Sequence, residues 1–118
     1  MLTITVSGLP QGLSPIAVTT IEARLREYLP AEIKKYAEIK CESCLSGSGP
    51  QWIDIAADNL PETAHKPDML VQDLALLVAV NIPKTKRGSV AGIRTNLSIG
   101  LIGNPPPKVY PADNFWDN

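Results

Sequence analysis

Only two cysteines, one histidine and one phenylalanine occur in this chain. Cys41 and Cys44 stand three apart, which is no secreted disulfide framework. A zinc site takes four ligands, usually two cysteine pairs or one pair with histidines. His65 is the sole histidine, so neither metal nor any other cofactor is expected. No stretch reaches the roughly 18 apolar residues of a membrane helix. The start, MLTITVSGLP, lacks the basic and apolar regions of a signal peptide. A cytoplasmic protein with reduced thiols is the expectation. Net charge is −1, so no global field draws in nucleic acid or an anionic membrane. Gly-x-Ser-x-Gly, a P-loop and Gly-x-Gly-x-x-Gly are all missing, which removes the common signatures of serine hydrolysis and nucleotide binding.

What is present suits one folded domain. The 118 residues are 44% hydrophobic and only 19% charged, and eleven prolines with eight glycines are too many for a helical bundle. Leu2, Ile4 and Val6 alternate with Thr3, Thr5 and Ser7, the period of a half-buried strand. Ser14-Pro15 then caps and opens a helix. Ile16, Val18, Ile21, Leu25, Tyr28 and Leu29 form its apolar stripe, and Pro30 ends it. Ala31 to Tyr36 suggests a further helical turn. Two-fold alternation returns at 37–42 and 52–56, read as two strands paired antiparallel across a Ser-Gly loop.

Residues 67–82 fit two patterns. Pro67-Asp68-Met69 starts like a helix, with Leu70, Leu74 and Leu77 at helical spacing. Leu74, Leu76, Val78, Val80 and Ile82 also alternate with Ala75, Leu77, Ala79 and Asn81. The preferred assignment is a helical turn at 67–72 and a strand at 74–82, with a full helix as the alternative. The strand would pair with an alternating strand at 93–102 in a long hairpin. The fold expected is α+β: a single antiparallel or mixed sheet with one amphipathic helix on one face, in the order β-α-β-β-(α or turn)-β-β. It becomes ferredoxin-like if 67–80 is helical. Residues 1–104 form the domain, and 105–118 a proline-rich, aromatic arm whose three consecutive prolines favour polyproline II.

Three places could carry function. Lys84, Lys86, Arg87 and Arg94 put four of the eleven basic residues within eleven positions, with Ser89 and two glycines among them and no acid. This loop is the candidate for an anion, an acidic protein surface or, less favoured, nucleic acid; no aromatic residue interleaves with the charges for base stacking. The turn at 7–14, between strand and helix, offers backbone N–H groups to an anion but reads equally as a tight turn with a cap. The tail holds Tyr110, Phe115 and Trp116, half of the six aromatic residues, and such anchors suit an interface in cis or in trans. The Cys41/Cys44 pair, His65 and the Asp54/Asp58 pair read as packed, solvated or incidental rather than chemical. The tail lacks a Pro-x-x-Pro spacing.

These features predict a non-catalytic interaction or assembly module forming a homo-oligomer. A sheet run apolar on both sides needs cover on both, and one helix covers one. Components of virus particles and mobile elements share this profile at the level of fold analogy. Two alternatives stand beside it. Tautomerase-like proteins resemble the chain in β-α-β order and size and assemble through their sheets, implying a small isomerase with a site between subunits. The N-terminal proline they use, exposed once methionine is lost, is absent because Leu2 follows Met1. The other alternative is a nucleic-acid-associated accessory protein using the loop at 84–94.

Overall fold

A computed structural model describes residues 2–29, 31–43, 50–60, 67–99 and 107–116. The alternation at the start becomes β1 (Thr3–Leu9), with Ile4 and Val6 fully buried. Helix α1 (Pro15–Tyr28) follows; the Ser14 hydroxyl accepts the Ala17 N–H at 3.1 Å and proline occupies the first turn. Ile21, Leu25 and Leu29 are buried, but Ile16 is 78% exposed, so the packed stripe begins one turn later than the apolar spacing suggests. A short helix α2 (Ala31–Lys34) leads to β2 (Glu38–Ser43). Arg26 ties this crossover down, donating to the carbonyls of Lys34 and Ala37.

The second half repeats the order. β3 (Gln51–Leu60) is followed by helix α3 (Pro67–Val80), a 3-10 segment at Lys84–Ser89, and β4 (Val90–Ile99). A short β5 (Lys108–Pro111) and a 3-10 turn at Ala112–Asn114 complete the described chain. The result is one mixed five-stranded sheet in the order β2-β1-β3-β4-β5. β1 runs parallel to β2 and β3 parallel to β4, while β1 and β3 pair antiparallel at the centre. The fold class expected from the pattern, α+β with a mixed sheet, is the one observed. The ferredoxin-like expectation is met in element order, β-α-β-β-α-β. In pairing it differs: each crossover here joins neighbouring strands, where a split β-α-β inserts another strand between them.

Three expected details change. First, 74–80 is helix, not strand, and 81–82 is the turn that ends it. Val71, Leu74, Ala75, Val78, Ala79 and Ile82 are all buried, a spacing of three and four that only a helix puts on one side. Leucine and alanine dominate the run, and both favour helix over strand. The expected hairpin with 93–102 is therefore replaced by a β-α-β crossover. Second, β2 and β3 do not pair; β1 lies between them. Ile4, Val6, Ile53 and Ile55 are 0–1% exposed, so β1 and β3 take the centre. β2, with Glu38 and Lys40 on its wet side, takes an edge, where charge discourages further pairing. Third, at 108–111 the arm is β-strand rather than polyproline II. It adds a strand to β4, and Pro111 is tolerated because an edge strand can lack one N–H.

Both helices lie on the same side of the sheet. Inward residues of β1, β3 and β4 share one core with Ile21 and Leu25 of α1 and Leu74 and Val78 of α3. The Tyr28 hydroxyl of α1 donates to the Asp73 carboxylate of α3 at 2.9 Å. The expectation of a sheet run apolar on both faces, with one helix to cover only one of them, is thus corrected: that run is α3 itself, which joins α1 on the same face. Cys44, His65 and the loop between β2 and β3 at 44–49 lie outside the described residues, as does the Pro105-Pro106 start of the arm.

Candidate functional site

The basic segment does not act as one patch. It folds as the 3-10 segment, and its side chains separate. Lys84 and Arg87 line a cavity of about 440 Å³ together with Gly88, Val90, Ala112, Asp113 and Trp116. Lys86 goes elsewhere: its Nζ lies beside Gly12 in the turn ahead of α1, where an added Cβ would come within 2.9 Å. Ser89 donates its hydroxyl to the Lys86 carbonyl at 2.7 Å, a local bond that closes the segment. Arg94 sits on the opposite face of the sheet, bound through Nε and one terminal nitrogen to the two oxygens of Asp54 at 2.8 and 3.0 Å.

The cavity's back wall is the arm. Trp116 is 8% exposed and donates its ring N–H to the Ala79 carbonyl at 3.1 Å, docking the tail on α3 in cis. Phe115 stacks obliquely between Tyr110 and Trp116, with centroids 5.7 and 6.3 Å away. Tyr110, Phe115 and Trp116 thus pack on one another and on the core of their own chain. The Arg87 guanidinium lies 5.1 Å over the Trp116 ring, and its Nε–H donates to the Ile82 carbonyl at 2.9 Å. Arg87 is thereby held in place, and among the described residues its terminal nitrogens make no hydrogen bond. Two cations, one carboxylate, an indole and the bare backbone of Gly88 converge here. Sequence spacing could not join Arg87 to Trp116, which stand 29 positions apart.

The second place is the open face of the sheet, opposite the helices. Strand register lays out its rows. Glu38, Thr3 and Asp58 form one, and Lys40, Thr5, Ala56 and Asn96 the next. Ser7, Asp54, Arg94 and Val109 form the third, and Trp52, Gly92 and Pro111 the last. No element covers these rows among the described residues; Ala56, Arg94 and Asn96 are exposed, and Val109 is 56% exposed. Trp52 lies against Gly92, where an added Cβ would approach its ring to 2.6 Å, and the Arg94 guanidinium stands 5.4 Å from its centroid. Trp52 was not singled out from the sequence, yet the alternation that buries Ile53 and Ile55 turns Trp52, Asp54 and Ala56 outward.

The remaining candidates carry less. Asp54 and Asp58 share the outer face but stand four residues apart on a strand, roughly 13 Å at about 3.3 Å per residue. Asp54 is moreover taken by Arg94, so the two form no acid-base pair. Cys41 is a free thiol on the helix side of edge strand β2, and burial, followed by the negative charge of Glu22, pushes it up to about 11. That suits a packed cysteine rather than a nucleophile. Among the described residues no group of three or more histidine, cysteine or acidic side chains could hold a metal ion. Among those residues, too, no helix is long and apolar enough to cross a membrane. No family model matches the chain, and no curated protein or solved structure is significantly similar to it.

Proposed function

We propose that the chain is a non-catalytic interaction module that forms a homo-oligomer through the open face of its sheet. The observation that carries this reading is Trp52, packed on that face against Gly92 and beneath Arg94, with no element above it among the described residues. Tryptophan and arginine are the residues most enriched among interface anchors. The charges of the face favour a second copy as the occupant. Glu38, Asp54 and Asp58 lie among Lys40 and Arg94, so one face can meet another with opposite charges opposed. Five strands at about 4.8 Å spacing, some 25 Å long, span on the order of 500 Å². Two such faces would bury on the order of 1,000 Å² in total, the lower bound of a biological interface. With its reduced thiol, the module belongs in the cytoplasm on this reading.

Light scattering during size-exclusion chromatography tests it. Ala56 is exposed at the centre of the face, so Ala56→Glu leaves the core untouched. The full chain is expected to elute as an oligomer and the variant as a single chain. A wild type that runs as a single chain defeats the proposal. So does an oligomer that survives Ala56→Glu but dissociates on Leu76→Glu, since Leu76 is exposed on the outer side of α3.

The doubled β-α-β order favours one further reading, a small isomerase with its site between copies. Turnover of an enol-pyruvate type substrate by the oligomer, lost on Ala56→Glu, would support it. The nucleic-acid reading finds less support: Arg94 is neutralised by Asp54, and Lys84 and Arg87 share their cavity with Asp113.

A further inference from the structure

We infer that the cavity between the 3-10 segment and the arm binds a small organic monoanion, a carboxylate carried on an apolar body. Its volume of about 440 Å³ falls in the range of small-molecule sites and is far too small for a folded partner. Lys84 and Arg87 both line it, and neither has a carboxylate partner within ion-pair distance among the described residues. Arg87 is already immobilised, by the Ile82 carbonyl on one edge and the Trp116 ring beneath it. A planar guanidinium fixed in this way matches the two oxygens of a carboxylate and loses little freedom on binding. Lys84 is exposed and supplies a second, adaptable donor. The apolar walls, Val90, Ala112 and Trp116, suit a hydrocarbon or ring rather than a bare inorganic ion.

Asp113 sets the charge of the ligand. Its carboxylate lines the same cavity, so a second negative charge on the ligand meets repulsion there. Among the described residues the lining holds Lys84, Arg87 and the one carboxylate of Asp113. A polyphosphate or nucleic acid backbone fits this balance poorly. The site is separate from the open sheet face, so it stands or falls independently of the assembly proposal.

Isothermal titration of the full chain with benzoate, benzyl alcohol and inorganic phosphate tests the inference. Benzoate should bind saturably, and benzyl alcohol about tenfold more weakly or worse, since it lacks the charge. Lys84→Ser should weaken benzoate by about tenfold, and Lys84→Arg should restore it. Lys86→Ser, whose side chain lies by Gly12, should change nothing. Absence of saturable benzoate binding into the tens of millimolar overturns the inference. Equal binding of benzyl alcohol, tighter binding of phosphate than of benzoate, or indifference to Lys84→Ser overturns it as well.

Discussion

Gly8 and Gly92 are the residues whose missing side chains the sheet uses directly. Gly8 has φ of +80°, and a Cβ there would stand 2.2 Å from the Trp52 carbonyl oxygen. Gly8→Ala should therefore cost about 2 kcal/mol or more, read as a lower denaturation midpoint in urea. At Gly92 a Cβ would meet the Tyr110 carbonyl at 2.4 Å and the Trp52 ring at 2.6 Å. Gly92→Ala should thus push β5 off β4 and speed hydrogen exchange at Val109 and Tyr110 while the amides of β1 stay protected. Tyr28 gives a pH test. Burial, reinforced by its bond to Asp73 and that carboxylate's charge, pushes its hydroxyl from 10.0 up to about 12. The folded chain keeps a proton that the unfolded chain releases between these values, so stability falls as pH climbs from 10 towards 12. Tyr28→Phe should lose about 1 kcal/mol at neutral pH and make the alkaline fall shallower. For Cys41, a thiol raised to about 11 holds roughly a hundredfold less thiolate than one at 9.0. Iodoacetamide should label it correspondingly slowly in Cys44→Ser protein. Labelling as fast as a free cysteine would contradict its packed position.

At the scale of elements, legibility followed burial. β1 and β4 could be read because one face of each strand is wet, so polar and apolar residues alternate cleanly. α1 could be read because Ser14-Pro15 and Pro30 punctuate it. α3 resisted because its run from Leu74 to Ile82 holds no charged residue and Asn81 as its one polar side chain, too little to mark either period; Leu76 and Val80 are exposed despite being apolar. Pairing partners were not legible for a different reason. Which strand lies next to which is decided by competition for the core, and β1 came between β2 and β3 because its inward residues are larger and better buried. The basic segment and the aromatic tail were each noticed as local concentrations, but their meeting through Arg87 and Trp116 is a product of the crossover that precedes β4. Trp116→Ala removes a buried indole and its bond to Ala79, and should cost about 3 kcal/mol. Ending the chain at residue 104 should lower the melting temperature, since the arm packs on its own α3, and should weaken an oligomer only as far as it strips β5 from the edge of the open face. Dissociation without loss of stability would instead place the arm in trans.

For the whole molecule, the decisive feature is asymmetry between the two sides of the sheet. One side is sealed by α1, α3 and the arm, and its buried side-chain nitrogens and oxygens all have partners among the described residues. The other presents threonine, alanine and paired charges around one tryptophan. A polar sheet face can stand in water unaided, so hydrophobic need does not force assembly; what argues for it is the Trp52–Arg94 cluster with matched charges around it. Hydroxyl-radical footprinting across a concentration series asks this most directly, because Trp52 and Ile16 lie on different surfaces of one chain. Oxidation of Trp52 should fall as concentration rises, while that of Ile16 stays constant. Trp52 oxidised equally at every concentration would contradict the account.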